Sequence, residues 1–405
     1  MPKLNIITIA YNAQKTLKRA IDSIVKQTYT DWKYYIVDHG STDSTRKIIQ
    51  RYAKNDSRCI PILLDKNTGT NGLLALVVDK IKNSSGEWIA ILDADDEYKP
   101  NAFETMLSWG NANELDYVVC GSEFVSVQTG KCIGKRSLPQ NLIFEKNEDF
   151  NAYLLIYYGL MRTWWARIFK KELFETLDLS WINQDEHGDT HLSFELLWKS
   201  KKCGILSKTY HIYYLNNTGS EKSYFFRLNQ SSEGKVDSSI LAAPRIYDFV
   251  LSFLVAKVGY VSDRNADFLL LVYMNAIKDT LNVVLNADIT IQEKLQVVIE
   301  IFAHEYTKRL DAKTNLGISV QNIASQIKLR NEIFTDIANV LIKYEEVPDE
   351  LVESYCDALE FICAAIEHAE GWIFAKQLRV QFLTEQGRDD EAKPRIAELR
   401  ELEIE

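Results

Sequence analysis

The first hundred residues alternate between short apolar runs and amphipathic stretches, and this order restricts the fold more than any other feature. Leu4–Ala10 is apolar and β-branched, and apolar residues then recur at helical spacing over Leu17–Val25. The order repeats with an apolar run over Trp32–Val37 and a helix opened by Ser41–Thr45. A strand, a polar loop and a helix in this order predict βαβ units and a parallel sheet.

Two further strands complete the predicted sheet. They are expected over Ile60–Leu64 and over an apolar run that ends at Asp93, with a helix over Asn71–Ile81 between them. Right-handed crossovers place the loops that follow parallel strands at one edge of the sheet, and ligands bind at that edge.

Three loops are therefore predicted to meet: Ala10–Asn12, Asp38–Ser41 and Asp93–Asp96. Asn12 is also expected to cap the first helix, because a side-chain oxygen there can accept from a free backbone N–H. The first strand is followed neither by a Gly-x-x-x-x-Gly-Lys loop nor by a Gly-x-Gly-x-x-Gly loop. A nucleoside triphosphatase or a dinucleotide dehydrogenase is thus not favoured.

The third loop carries three carboxylates within four positions. Asp93, Asp95 and Asp96 follow the apolar run Gly86–Leu92. Like charges this close repel, so such a cluster is typical of a divalent cation or of a shared proton. The alternative is an acidic turn at a strand end, in which Asp96 caps the helix after Pro100.

Composition limits the class of protein. A formal charge of -10 over 405 residues argues against non-specific nucleic-acid binding, which needs a basic surface. The N-terminus has no signal sequence, the six cysteines show no paired spacing, and the apolar stretches are too short for a transmembrane segment. We expect a cytoplasmic protein, with peripheral contact at the inner face of the membrane left open.

Four motifs together resemble the family 2 glycosyltransferases, which are inverting enzymes with the GT-A fold. The matching motifs are Ile7–Asn12, Gln27–Tyr29, Val37–Thr45 and Gly86–Asp96. The resemblance implies a GT-A domain, with a mostly parallel central sheet flanked by helices. It also implies transfer of a hexosyl or N-acetylhexosaminyl group from a nucleotide-diphosphate donor, expected to be a UDP-sugar, to a glycan, a lipid-linked glycan or a protein.

The resemblance assigns the third loop to the donor diphosphate. Asp95 would bind Mn²⁺ or Mg²⁺, and Asp93 would contact the ribose or help to hold the metal, with Ala94 between them in the same loop. His211 is a candidate additional metal ligand, and its alternative is a buried strand histidine. A metal bridging the two phosphates neutralises the leaving group.

The resemblance assigns the first two loops to the nucleoside. Thr8, Ala10 and Tyr11 would line the base and the ribose, and Asp38 would face the nucleobase. His39 stands where the family most often has a second acid that bonds the uracil imide. A neutral imidazole can still pair with an imide, but this departure leaves the choice of nucleobase open.

Inverting transfer needs one general base on the acceptor side. The resemblance places it at Asp189, which opens the amphipathic stretch His187–Trp198, and the alternative role of Asp189 is an N-cap. Asp185 and Glu186 are the other candidates for the base.

The acceptor half contains two further features of interest. Trp164 and Trp165 are read as a core pair or as a sugar-stacking platform. Arg167 is a candidate donor to phosphate or acceptor. Strands are expected over Cys203–Leu206 and Thr209–Tyr214.

The predicted domains are residues 1–105 for the nucleotide-sugar-binding half, 106–235 for the acceptor-binding half, and 236–405 for an all-helical C-terminal domain. The turn near Gln386 and Gly387 looks like that of a tetratricopeptide hairpin. The helical domain would dock a protein acceptor, form a homodimer or stabilise the catalytic domain. The alternative function of the whole chain is a catalytically inactive GT-A-like scaffold subunit.

Overall fold

A computed structural model describes residues 4–67, 85–145, 163–177, 188–215 and 369–402, together with isolated residues elsewhere. The chain divides into two compact units, Met1–Asn217 and Thr218–Glu405. The helix predicted over residues 71–81 lies outside the described residues. The three domain boundaries stay predictions.

The first unit alternates strands and helices up to residue 112 and is richer in strands after it. Its strands are β1 Leu4–Ala10, β2 Trp32–His39, β3 Cys59–Leu64, β4 Trp88–Ile91, β5 Glu97–Tyr98, β6 Tyr117–Ser126, β7 Cys132–Arg136, β8 Leu142–Glu145, β9 Arg167–Lys170 and β10 Lys202–Leu215. Its helices are α1 Leu17–Val25, α2 Thr45–Asn55, α3 Ala102–Ala112, α4 Lys171–Glu175 and α5 Gly188–Lys199.

These strands form one mixed sheet in the order β3-β2-β1-β4-β9-β6-β10-β5, with β7 beside β6 and β8 beside β10. β1 lies between β2 and β4 and is parallel to both, so Leu4 is opposite Trp32 on one side and Trp88 on the other. β9 is antiparallel to both β4 and β6, which leaves β4 and β6 parallel to each other. The predicted fold class, a GT-A sheet that is mostly parallel, is confirmed.

The central strands are apolar on both faces because helices cover both sides of a largely parallel sheet. Trp32 and Trp88 are fully buried on the two strands that flank β1. Ala20, Ile21 and Ile24 recur at helical spacing on α1 and are also buried. Their positions explain why the apolar residues of α1 fall on one face.

One long strand, β10, replaces the two strands predicted near residues 203–214. Its register against β6 shifts between Ile205 and Thr209 and again between Thr209 and His211. Such irregularities bend a strand without ending it, so a polar stretch in the middle of β10 looks like a loop in the sequence. The bent strand reaches from β8 at one end to β5 at the other.

The described end of the second unit is a helical hairpin of α6 Ala369–Glu385 and α7 Asp389–Leu402. Gly387 takes a φ of 68°, and its N–H donates to Thr384 O at 3.0 Å, which ends α6. The predicted helical character is confirmed here, and the tetratricopeptide assignment stays a prediction. Every helix in the described part of the chain is too short or too polar to span a bilayer.

Candidate active site

The three carboxylates of the third loop converge at the carboxyl end of β4. Leu92 N–H donates to Ile7 O at 2.9 Å, and Asp96 N–H donates to Asp93 O at 3.3 Å, so the chain turns directly after the strand. Oxygens of Asp93, Asp95 and Asp96 lie within 4.8 Å of one another. Oxygen ligands in this arrangement suit a divalent cation such as Mn²⁺ or Mg²⁺.

Asp96 is the buried member of this cluster. Its Oδ1 accepts from Tyr214 N–H at 3.0 Å, and its side chain is fully inaccessible to solvent. Burial, followed by the nearby charges of Asp93 and Asp95, raises the pKa of Asp96 well above its usual value. Asp96 is therefore not the helix cap that was considered from the sequence: α3 begins at Ala102, with Asn101 at the cap position.

His211 lies behind Asp96 in the core of the unit. Its Nε2 is 3.5 Å from Asp96 Oδ2, and its ring stacks on Trp165 with centroids 4.5 Å apart. Burial, with a contribution from the charge of Arg136, lowers the pKa of His211 to about 3, so the imidazole is neutral. His211 is not among the residues whose ligand atoms converge on one point, and its role as a metal ligand stays a prediction.

Trp164 contacts the cluster from the acceptor side, which sequence reasoning did not predict. Its indole Nε1–H donates to Asp93 Oδ1 at 2.8 Å. Ala166 follows the tryptophan pair with a left-handed φ of 61°, and Trp165 packs against His211 and Tyr213. The two tryptophans thus have different roles: Trp165 is a core residue, and Trp164 holds an acid of the cluster.

Arg19 contacts the same turn from α1 and was also missed. Its guanidinium donates to Asp95 O, lies 3.3 Å from a carboxylate oxygen of Glu97, and covers the Tyr214 ring at 3.5 Å. In the sequence Arg19 is one of several basic residues on a helix, so no pattern there distinguishes it.

The first two loops meet, as predicted, through hydrogen bonds between main chain and side chains. Asn12 N–H donates to Ser41 Oγ at 3.0 Å, and Thr42 N–H donates to Asn12 Oδ1 at 2.9 Å. Asn12 has a φ of 49°, and its side chain is used to join the loops. The expected helix cap is thus wrong: Thr16 takes the cap position of α1.

Asp38 organises the second loop from inside the protein. Its Oδ1 accepts from Ser41 N–H at 3.1 Å and its Oδ2 accepts from Arg46 Nε–H at 2.7 Å, while the side chain is fully buried. Gly40 next to it has a φ of 72°, and an added Cβ would lie 2.5 Å from Lys66 C. Both carboxylate oxygens of Asp38 accept hydrogen bonds from other residues of the protein. A contact of Asp38 with a nucleobase stays a prediction.

Tyr11 and His39 form an edge-to-face pair, with ring centroids 6.5 Å apart and planes at 70°. Tyr11 is 49% exposed, so its ring offers a surface for a planar ligand. Burial lowers the pKa of His39 against the opposing charge of Asp38, which keeps the imidazole neutral near pH 7.

Three other predicted contact residues are buried. The Thr8 hydroxyl donates to Leu92 O at 2.7 Å and is 2.7 Å from Tyr34 Oη, inside the sheet. The side chains of Thr8 and Ala10 are fully buried, and their contacts with the base and the ribose stay predictions. Arg167 is also buried, and it donates to the carbonyl oxygens of Trp165 and Leu160 instead of to a phosphate.

The predicted base, Asp189, is the second residue of α5, in its first turn. Its side chain lies outside the described residues, as do the alternatives Asp185 and Glu186. Asp189 as catalytic base therefore stays a prediction.

Comparison with known proteins agrees with this site. Residues 5–178 match the model of glycosyl transferase family 2. The uncharacterized glycosyltransferase YibD of Escherichia coli K12 is 24% identical over 220 residues, covering 53% of this chain and 62% of YibD. The UDP-Glc:alpha-D-GlcNAc-diphosphoundecaprenol beta-1,3-glucosyltransferase WfgD of Escherichia coli is 31% identical over 143 residues, covering 35% of this chain and 54% of WfgD.

A further relative is the putative teichuronic acid biosynthesis glycosyltransferase TuaG of Bacillus subtilis, which is 34% identical over 109 residues, 27% of this chain and 42% of TuaG. The matches thus span about half the length of these curated relatives. A crystal structure of S. aureus TarS 1-349 in complex with UDP has a TM-score of 0.45 and 14% identity, covering 95% of this chain and 92% of that one. The match to the glycosyl transferase family 2 model, over residues 5–178, includes the first two loops and the acidic turn Asp93–Asp96.

Proposed function

We propose that this protein is a metal-dependent, inverting glycosyltransferase that moves a sugar from a nucleotide-diphosphate donor, a UDP-sugar, to a glycan, lipid-linked or protein acceptor. The observation that carries the proposal is the acidic turn, whose three carboxylates converge at the sheet edge where two further loops meet. Ligands bind at this edge in open α/β sheets.

The acid cluster fits a divalent metal. Three like charges whose oxygens approach within 4.8 Å repel each other, and the raised pKa of Asp96 reflects that repulsion together with burial. Asp93 and Asp95, which are the two less buried members, would hold Mn²⁺ or Mg²⁺. When bound, the metal would supply positive charge that neutralises the diphosphate leaving group.

Uridine is the proposed nucleoside. The exposed ring of Tyr11 offers a stacking surface, and the neutral imidazole of His39 beside it can pair with an imide N–H. WfgD is named for a UDP-sugar donor, which supports the same choice here. That name also gives a lipid diphosphate acceptor, so a lipid-linked sugar is the first acceptor to test.

Asp189 is the proposed general base. It is the second residue of α5. An ionised carboxylate there would take the proton of the attacking hydroxyl while the sugar–phosphate bond breaks on the opposite face.

The test is turnover of a panel of nucleotide sugars with Mn²⁺, compared between wild type, Asp95→Asn and Asp31→Asn. Asp31 is exposed and outside the cluster, so Asp31→Asn controls for the loss of one carboxylate. We expect Asp95→Asn and EDTA each to remove turnover, and Asp31→Asn to keep it. Full turnover of Asp95→Asn in EDTA would refute the metal role.

A second variant separates the base from donor binding. Asp189→Asn should bind the donor as wild type does and lose about 10²- to 10⁴-fold in transfer rate. Unchanged transfer would move the base to Asp185 or Glu186. If no nucleotide sugar binds in calorimetry with Mn²⁺ present, the chain is the non-catalytic scaffold instead.

A further inference from the structure

A cleft with several charged side chains in its lining lies beside α1, where this helix faces β5. It has a volume of about 420 Å³, and we call it the α1 cleft. Five cationic residues line it: Lys15, Lys18, Arg19, Lys26 and Lys99. Two carboxylates, Asp22 and Glu97, oppose them, so the lining has a net charge of +3 in a chain whose formal charge is -10.

The excess positive charge is concentrated at Lys18 within α1 and at Lys15 and Lys26 just outside its two ends, and we call these three the lysines of α1. Asp22 is shared by two lysines, with its Oδ2 2.7 Å from Lys18 Nζ and 3.8 Å from Lys26 Nζ, and it also accepts from the Tyr52 hydroxyl. One carboxylate cannot neutralise both lysines. In the described part of the chain Lys15 forms no ion pair, and it is exposed.

The other two cations are already engaged. Arg19 uses its guanidinium on Glu97, Asp95 O and the Tyr214 ring. Lys99 Nζ is 3.0 Å from both Glu123 Oε1 and Thr209 Oγ1. The lysines of α1 are therefore the groups available to a ligand.

The chemistry of the available groups selects the ligand. Lysine ammonium groups act as mobile point charges and suit a compact, highly charged phosphate, whereas planar recognition of a carboxylate uses arginine. The single arginine of the cleft is committed to other contacts. A long polyanion such as nucleic acid is disfavoured by the net negative charge of the chain.

We propose that the α1 cleft binds a phosphate-bearing anion, either as a free phosphate compound or as the headgroup of an anionic lipid. This site is distinct from the acidic turn: its lining shares no residue with the Asp93, Asp95 and Asp96 cluster. It lies beside that turn, since Arg19 and Glu97 line the cleft and Arg19 also contacts Asp95 O. The proposal does not require that the chain transfers sugars.

The first arm of the test measures inorganic diphosphate binding to the full chain by calorimetry in EDTA. Without divalent metal the acidic turn repels diphosphate, so binding there does not contribute. The cleft variant is Lys15→Glu/Lys26→Glu, and the matched control is Lys47→Glu/Lys54→Glu, which changes two exposed lysines of α2. We expect at least about tenfold weaker binding in the cleft variant and wild-type binding in the control.

The second arm measures co-sedimentation with vesicles of phosphatidylcholine alone or mixed with phosphatidylglycerol. If the cleft variant, but not the control, loses binding to the anionic vesicles, the cleft binds lipid headgroups. If the cleft variant loses only diphosphate binding, the cleft binds a soluble phosphate compound. If the unfolding midpoint of Lys15→Glu/Lys26→Glu is lower than that of wild type, the milder variant Lys15→Gln/Lys26→Gln is used in its place. The proposal is overturned if wild type binds neither probe, or if cleft and control variants behave alike in both arms.

Discussion

Trp164 donates its indole N–H to Asp93 across 71 positions of sequence, with Nε1 and Oδ1 2.8 Å apart. The bond fixes one carboxylate of the acidic turn from the segment that precedes β9. Hydrogen bonds to a metal-binding carboxylate set its orientation, and their loss typically weakens metal binding by about 10- to 100-fold. Trp164 is therefore a positioning residue in the proposed enzyme.

We expect Trp164→Phe to keep the fold and to bind Mn²⁺ about tenfold more weakly, because phenylalanine keeps the ring but not the donor. Electron paramagnetic resonance of free Mn²⁺ measures the affinity directly. Trp109→Phe, which removes an indole outside the acidic turn, is the control. Equal Mn²⁺ affinity in Trp164→Phe and wild type would show that the bond has no role in metal binding.

We expect the stability of the protein to tolerate asparagine at position 96 but not alanine. Asparagine can still accept from Tyr214 N–H and removes a charge whose burial raises the pKa of Asp96. We expect Asp96→Asn to leave the free energy of unfolding unchanged or higher, and Asp96→Ala to lower it by about 2 kcal/mol, because Tyr214 N–H loses its acceptor. Denaturant titration of both variants measures this.

Comparison of Asp96→Asn with Asp95→Asn tests which acids hold the metal. If Asp96 is mainly structural, Asp96→Asn keeps Mn²⁺ binding that Asp95→Asn loses. Loss of binding in Asp96→Asn at normal stability would make Asp96 a metal ligand.

Asp38 should contribute to stability through its hydrogen bonds. Asp38→Ala removes the acceptor of Ser41 N–H and of Arg46 Nε–H, and we expect the free energy of unfolding to fall by about 2 kcal/mol. Asp31→Ala, at an exposed position, should change it by less than about 0.5 kcal/mol. A loss no larger than that of the control would mean that the second loop does not depend on Asp38.

The lowered pKa of His39 makes a prediction for acid stability. A histidine whose pKa is lower in the folded than in the unfolded protein, where it is near 6.5, contributes stability above pH 6.5. This contribution is lost as the pH falls from 6.5 towards the folded pKa, with a slope of at most about 1.4 kcal/mol per pH unit. Urea unfolding from pH 7.5 to pH 5 should therefore show a steeper loss for wild type than for His39→Gln, and equal slopes would contradict the pKa shift.

The alternation of strands and helices up to β4 and the acidic turn were predictable from local patterns. Apolar runs followed by polar loops place the loops of β1, β2 and β4 at one edge, because crossover handedness leaves no other arrangement. The contacts across that edge were not predictable, since Trp164 and Arg19 reach the turn from distant segments and neither has a distinctive sequence environment.

The burial of individual polar side chains was not predictable from the sequence. Thr8 and Asp38 are polar and lie at strand ends, which in sequence is typical of a ligand surface. Whether such a side chain points outward or inward depends on neighbours in other strands: Tyr34 and Leu92 for Thr8, and Arg46 for Asp38. The prediction that Asn12 caps a helix was wrong because its actual partner, Ser41, lies 29 positions away in the sequence.

The sequence by itself determined the βαβ order, the resemblance to a family and the position of three carboxylates after a buried strand, because each depends on residues that are neighbours in the chain. The tertiary structure decided which carboxylate is buried, which tryptophan holds Asp93, and where unmatched lysine charge collects on α1. Those properties depend on distances between segments, and only the packed sheet and helices fix such distances.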